Sequence, residues 1–375
     1  MRHAVIMAGG AGTRLWPMSR RDAPKQLIPL IGGRSLFEIA IERLQGLVEP
    51  EHLSICAGEG HRKAIRMTAP SVADAQIIGE PTGRDTLAAV GLSAAVIAKR
   101  DPAAVIAVFT ADHLIEPITV FQRRVELGFD LVEAADNRLL TFCIEPTAPA
   151  TGFGYVEKGA PLALPDADVS LGASEREGHA PVAFHVERFV EKPSLEKAKE
   201  YLASGRYGWN SGMFVWRAST ILDAIGAYKP QVREGLEAIA AAWDGKSQAQ
   251  TLADVYPTLE KISIDFAVME PASVDPQFDV GTVVMDLSWR DVGSWAALAQ
   301  TIEPDDADNR ISGVAAALLD CAGSLVVGDD DQHTVAAIGL RDVVIVCTKD
   351  ATLVMPASEA DRLKQLHKML PESLQ

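Results

Sequence analysis

Apolar positions come in short blocks along this chain, and the spacing within each block separates strands from helices. Residues 4–8, Ala-Val-Ile-Met-Ala, are too few for a helix and run into glycines, so they predict a buried parallel strand ending in a loop. Residues 53–57, 76–78, 105–109 and 139–144 predict further strands. Between them the period changes. Phe37, Ala40, Ile41, Leu44, Leu47 and Val48 recur at helical spacing behind a Ser35–Glu38 capping box, residues 83–99 read as a helix rich in Ala and Leu, and Phe121, Val125, Gly128, Leu131 and Val132 mark another. The βαβα alternation predicts an α/β fold.

Further along, residues 182–190 alternate as a strand, 194–203 predict a helix, 209–216 a turn leading into a strand, and 283–289 another strand. Residues 159–180 carry few bulky apolar side chains and read as an exposed excursion. From about Asn309 the texture shifts to short apolar segments at 313–319, 324–327, 334–338, 343–347 and 352–355, with a helix expected only at 357–370. The expected division is therefore a large α/β domain over 1–308 and a small β-rich domain over 309–375.

Composition narrows the partners. With 375 residues, 48% hydrophobic content and mean hydropathy +0.09, the chain is globular in class. No apolar run reaches the ~18 residues a spanning helix needs, and Met1-Arg2-His3 leads directly into a strand, so a cytoplasmic protein is expected. Cys56, Cys143, Cys321 and Cys347 lack metal-site spacing and read as reduced core residues. A net charge of −16 argues against nucleic acid or an anionic membrane as partner. Yet the first 26 residues hold five Lys/Arg against one acid, Asp22, which suits a small anionic ligand.

That basic island surrounds the loop after the first strand. Gly9, Gly10 and Gly12 allow close backbone approach to a phosphate, and Arg14 and Lys25 add positive charge. Leu15 breaks the dinucleotide fingerprint, and no Gly-Lys-Ser/Thr follows to make a Walker loop. The glycines alone would equally suit a plain strand-to-helix turn. A second glycine-bearing loop, Glu80 to Thr86, enters the next helix and suits a nucleotide. Its Asp85 could accept from a guanine edge or cap the helix, and the cap is the favoured reading. Asp112 ends a parallel strand where open α/β sheets bind ligands, and a hard carboxylate there suits Mg²⁺ on phosphates. His113 reads as orienting that loop.

Gly-Gly-x-Gly-Thr-Arg-Leu-Trp-Pro-x-Ser followed by Pro24-Lys25-Gln26 resembles the signature of the sugar-phosphate nucleotidylyltransferases, and its Leu15-Trp16-Pro17 variant that of bacterial mannose-1-phosphate guanylyltransferases. The resemblance covers nearly the whole chain. It implies a Rossmann-like mixed sheet with a C-terminal partial β-helix domain, and transfer of GMP from GTP to α-D-mannose 1-phosphate. It places Ala8, Gly9, Gly10, Gly12, Thr13, Gly83, Arg84 and Asp85 around the nucleotide, although the family usually has Asn where this chain has Asp85. Gly154-Tyr155, Glu191-Lys192 and Asn210 would line the sugar-phosphate pocket, with Glu191 and Asn210 on vicinal hydroxyls and Lys192 on the phosphate. Trp289 to Trp295 matches the family's Trp-x-Asp-Val-Gly-Ser-Trp, which makes Asp291 the second expected Mg²⁺ ligand beside Asp112. Arg14 and Lys25 would stabilise departing pyrophosphate. The segment 261–270 resembles a family helix near the sugar site, with Ser263 as N-cap and most of the rest as core. The resemblance also implies a homodimer through the C-terminal domain and no fused isomerase. Two rivals remain: an adenylyl-, uridylyl- or thymidylyltransferase acting on another hexose 1-phosphate, and a non-catalytic regulatory subunit that binds nucleotide-sugar.

Overall fold

The computed structural model describes residues 1–10, 12–164 and 181–374. The first half alternates as the spacing predicts: β1 (Arg2–Met7), α1 (Leu36–Glu42), β2 (Leu53–Gly58), α2 (Arg62–Thr68), β3 (Ile77–Glu80), α3 (Asp85–Arg100), β4 (Val105–Thr110). There follow β5 (His113–Glu116), α4 (Ile118–Glu133), β6 (Arg138–Ile144), β7 (Tyr155–Pro161), β8 (Ala183–Val190), α5 (Leu195–Ser204) and β9 (Tyr207–Arg217). Three helices, α6 (Ala218–Tyr228), α7 (Pro230–Ala242) and α8 (Gln248–Val255), precede β10 (Asp279–Met285) and β11 (Ser288–Asp291).

Nine of these strands form one mixed sheet in the order β3-β2-β1-β4-β9-β6-β10-β8-β7. β1 to β4 are parallel to one another, and β9 runs antiparallel to both β4 and β6, so β4 and β6 share a direction. Helices cover both faces. α3, α6 and α7 pack on one side with Leu87, Ile225 and Leu236, and α1 and α4 pack on the other with Phe37, Phe121 and Phe129. At Gly91 a β-carbon would stand 2.4 Å from Leu236 Cδ1, so glycine is what lets α7 lie so close to α3.

Three sequence expectations need correction. The strand expected over 283–289 is two strands: β10 stays in the large sheet, while β11 leaves it after Met285 and pairs antiparallel with β5, Asp291 opposite His113. The helix expected over 261–270 is a π-helical turn, Asp265–Met269, followed by Glu270–Ala272. Pro271 has no N–H to continue an α-helical ladder, and the wider turn precedes it. Ser263 still caps it, its Oγ accepting from the Phe266 amide at 3.3 Å. Finally, the excursion expected from Gly159 starts later, because β7 continues to Pro161 and Leu162 is buried; residues 165–180 lie outside the described residues.

The C-terminal region is strand-rich as expected: β12 (Arg310–Ser312), β13 (Ala315–Leu319), β14 (Leu325–Gly328), β15 (Thr334–Ile338), β16 (Val343–Cys347) and β17 (Thr352–Pro356). β12, β14 and β16 stack in parallel, with β13 and β15 as a second parallel pair, so each turn of chain lays one strand on each of two faces. The last helix is shorter than expected, Leu363–His367 behind a 3-10 segment Ala357–Arg362. These strands do not stand apart from the large domain. Leu15 and Trp16 of the glycine loop share one apolar cluster with Val327, Val346, Leu353 and Leu363.

Candidate active site

β1 delivers the glycine loop to the carboxyl edge of the sheet. Gly10 has φ +101° and Gly12 φ +60°, and a β-carbon on Gly12 would meet Lys25 Cβ at 2.9 Å, so both turn and packing demand glycine there. Ser19 Oγ donates to the Gly12 carbonyl at 2.7 Å and Gln26 Nε2 to that of Gly9 at 2.6 Å, which pins the loop from its own C-terminal continuation. Ala8 is buried, and its amide donates to Cys56 O at 2.8 Å. Arg14 is exposed and makes no hydrogen bond or ion pair among the described residues.

A cluster of charged side chains lies where β4 and β11 end. Lys25 Nζ donates to Asp112 Oδ2 at 2.7 Å, and Asp112 and Asp291 offer oxygens that, with a His113 nitrogen, lie within 4.8 Å of one another. Burial works against the charge on Asp112, but Lys25, backed by His113, outweighs it and holds the carboxyl at about 2. Asp291 is pushed the other way, first by burial and then by the charge of Asp112. Its Oδ1 is buried and makes no hydrogen bond. A β-carbon on Gly293 would stand 3.1 Å from both Arg14 Nη2 and Asp291 Oδ1, so the Arg14 guanidinium reaches the same spot.

Two groups fix this geometry from behind. Arg43, fully buried at the end of α1, donates to the carbonyls of Thr110 at 2.6 Å and His113 at 2.7 Å and so clamps the turn that carries Asp112. The indole of Trp289 donates to His113 Nδ1 at 3.2 Å. Thr110 Oγ1 lies 2.7 Å from the same nitrogen, and Nε2 faces Asp112 at 3.8 Å. Burial holds His113 down to about 4.

Across the sheet, the expected sugar-pocket residues do come together. Lys192 Nζ pairs with Glu191 Oε1 at 2.8 Å, and a β-carbon on Gly154 would lie 2.5 Å from Glu191 Oε2. Asn210 is held on both sides, Oδ1 accepting from Thr141 Oγ1 at 2.8 Å and Nδ2 donating to Asp265 Oδ1 at 2.9 Å. Tyr155 is fully buried, its hydroxyl donating to the Ala150 carbonyl at 2.9 Å, so its side chain packs in the core.

On the other flank, past the ends of β2 and β3, a cavity of about 430 Å³ is lined by Gly9, Gly10, Thr13, Glu80 and Gly83. Tyr256 donates to Glu80 Oε1 at 2.6 Å. Asp85 has φ +65° and is the first residue of α3, not its cap: the N-cap position falls on Arg84, and Asp85 Oδ1 accepts from the neighbouring Thr86 amide at 2.8 Å. Arg84 precedes it, its Nε buried without a hydrogen bond. A larger cavity of about 710 Å³ sits at the opposite, amino-terminal ends of β1 and β2, beside Arg2 and Leu53, away from every expected site residue.

Residues 3–307 match the family model described as nucleotidyl transferase, and residues 316–370 match one described as MannoseP isomerase/GMP-like beta-helix domain. The chain belongs to the nucleotidyl transferase family. A Klebsiella pneumoniae protein named mannose-1-phosphate guanylyltransferase is 37% identical over 98% of this chain and 74% of its own length. The xanthan biosynthesis protein XanB of Xanthomonas campestris pv. campestris is 34% identical over 98% of this chain and 72% of its own. Among solved structures, a Thermus thermophilus protein described as a mannose-1-phosphate geranyltransferase superposes with TM-score 0.81 at 31% identity, covering 98% of both chains.

In this nucleotidyl transferase one polar group stands out that the sequence reading left in the core. Asp265 opens the π-helical turn and faces Asn210, Glu191 and Lys192. Burial, then the charge of Glu191, pushes its carboxyl up to about 7. A carboxylate inside the apolar run Ile264 to Met269 was the available signal.

Proposed function

We propose that this enzyme transfers GMP from GTP to α-D-mannose 1-phosphate, giving GDP-mannose and pyrophosphate. The observation that carries the reading is the convergence of Lys25, Asp112 and Asp291 between the glycine loop on one flank and the Glu191–Asn210 pocket on the other. A sugar phosphate and a nucleoside triphosphate seated on those two flanks would bring their phosphates together at that cluster.

The attacking oxygen of the sugar phosphate is anionic at neutral pH and needs no general base. It forms a new P–O bond at the α-phosphorus as the bond from that atom to the bridging oxygen breaks, and the electron pair leaves with pyrophosphate. Catalysis is then alignment and charge neutralisation. Lys25 and Arg14 face the departing pyrophosphate, Lys192 faces the incoming phosphate, and Glu191 accepts from sugar hydroxyls. Asp112 and Asp291, two carboxylates crowded together with one oxygen unpartnered, fit a hard divalent cation such as Mg²⁺, and these two side chains would hold it. When bound it would neutralise the phosphates and polarise the α-phosphorus.

Two further readings go with this one. The outward faces of β13 and β15 carry Leu319 and Ile338, 58% and 72% exposed and directly paired, which supports self-association through the C-terminal domain. All four cysteines are buried and unpaired, as suits a reducing cytoplasm, and among the described residues no helix is long and apolar enough to cross a membrane.

The test is pyrophosphate release across GTP, ATP, UTP and dTTP, each with mannose, glucose and galactose 1-phosphates. GTP with mannose 1-phosphate gives the highest kcat/KM. A preference for another base or sugar overturns the assignment, and no release from any pair would point to a binding subunit.

A further inference from the structure

The cavity beside the glycine loop is not enclosed by the large domain alone. Gly9, Gly10, Glu80 and Gly83 form its inner side, but His367 and Glu372, from the last segment of the chain, line it as well. That segment is fastened to the loop. Trp16 Nε1 donates to the Leu374 carbonyl at 2.8 Å, Trp295 Nε1 donates to the Trp16 carbonyl at 3.1 Å, and Leu363 is buried in the cluster that holds Leu15 and Trp16. Arg20, four residues past Trp16, donates to Asp350 Oδ1 at 2.9 Å. The Leu15-Trp16 pair is thus a socket that seats the C-terminal segment directly over the residues after β1.

Sheet order says which part of a ligand that segment meets. Asp112 follows β4, on one side of β1; Gly58, Glu80 and Gly83 follow β2 and β3, on the other side. A nucleotide with its α-phosphorus near Lys25 and Asp112, lying across the glycine loop, directs its base and ribose toward β2 and β3, into the cavity. Building on the nucleotidyl transfer proposed above, we propose that the C-terminal segment completes the nucleoside end of the nucleotide pocket, His367 and Glu372 contacting the bound purine nucleoside.

The chemistry of the two side chains suits that place. The Watson–Crick edge of guanine presents two adjacent donors, N1–H and the 2-amino group, which match a carboxylate, whereas adenine presents one donor beside an acceptor. Glu80 has one oxygen engaged by Tyr256, whereas Glu372 is exposed at the rim and makes no hydrogen bond or ion pair among the described residues. His367 is half-buried and offers a planar ring and a nitrogen to base or ribose. On this reading Glu372 helps to choose the base, and the C-terminal domain takes part in substrate selection as well as holding the loop.

The experiment uses the full chain and calorimetric titration, which needs no turnover. Wild type is titrated with GTP, ITP and ATP, and this panel reports on base choice alone; whichever binds most tightly is then the probe for the variants. His367→Ala weakens binding of that probe roughly tenfold, as for loss of a contact in a partly desolvated pocket. Glu372→Gln narrows the preference for GTP over ATP by a similar factor and leaves the KM for mannose 1-phosphate within about twofold. Melting temperatures confirm folding, and His367→Gln replaces the alanine variant if that one melts early. Unchanged probe affinity in both variants, with native melting, overturns the proposal and leaves the nucleotidyl transfer reading intact.

Discussion

Gly154 and Glu191 occupy space that admits no additional atom: a methyl group at 154 would stand 2.5 Å from Glu191 Oε2. The atom it would displace is the tip of a side chain, which swings aside at little cost in stability. Glu191 is nevertheless buried and bonded to Lys192, and it is the carboxylate proposed to meet the sugar.

Gly154→Ala therefore separates function from folding. The KM for mannose 1-phosphate rises on the order of tenfold, since a misplaced carboxylate no longer meets the sugar, while the KM for GTP and the melting temperature change little. Initial rates at varied sugar phosphate, beside a thermal melt, check both halves. Parallel increases in the two KM values would show that Gly154 acts on the whole site.

Lys25 is nine-tenths buried and pairs with Asp112, and in the proposed reaction it also faces the leaving group. Lys25→Ala should lower kcat/KM on the order of 10²-fold or more, the loss expected when a positioned charge is removed from a transition state. Lys25→Arg keeps the charge but not the compact ammonium that reaches Asp112 Oδ2 at 2.7 Å, and should recover only part of the rate. Steady-state kinetics on the two variants distinguishes a role in charge from a role in shape: equal losses would make it shape.

How much of this was legible in the sequence depends on whether each feature is local. The strand-to-loop units at Met7 and Thr110 announce themselves through apolar runs that stop at Gly or Asp, whereas the turn expected at Trp209 is absent and Asn210 lies inside the continuous strand β9. The three helices between Ala218 and Val255 have no counterpart among the expected elements, although α6 and α7 each bury an apolar face. The break between β10 and β11 is likewise hidden, since Leu287 and Trp289 continue the apolar run although the chain changes sheet there. Yet that break carries Asp291 across to His113. Asp265 was only half legible: a carboxylate in an apolar run is visible in the sequence, but its partners, Asn210 and Glu191, lie 55 and 74 residues away. The Leu15-Trp16 pair was legible as a family signature, but its contact with the C-terminal strands exists only in the folded chain.

Because β11 brings Asp291 beside Asp112, removing either carboxylate should cost most of what removing both costs. Asp112→Asn and Asp291→Asn each weaken the response to Mg²⁺ as well as the rate, since an amide is a poor ligand for a hard cation. The double variant should fall only slightly below the worse single one. Mg²⁺ titration of the initial rate in all four proteins provides the measurement. Full wild-type activity in EDTA, or losses that multiply independently, would refute a shared metal.

The last prediction concerns pH and rests on Asp265. Its carboxyl is raised from the ordinary 3.8 to about 7, first by burial and then by Glu191, with Lys192 and the Asn210 amide pulling the other way. Over that interval the folded chain holds a proton that the unfolded chain has already released. Native stability contributed by this group is therefore greatest below about pH 4 and declines as pH rises through about 7, the reverse of an ordinary salt-bridged aspartate. Asp265→Asn keeps an acceptor for Asn210 but never ionises, so it should flatten the decline between those limits. Asp265→Ala also removes the ionisation, yet it strands the Asn210 amide and should lower stability at every pH. Urea unfolding at intervals from pH 4.5 to 8 in about 0.15 M salt gives the slope directly. A wild-type slope that survives unchanged in Asp265→Asn would mean that another buried acid, such as Glu80, which burial also pushes up, carries the effect.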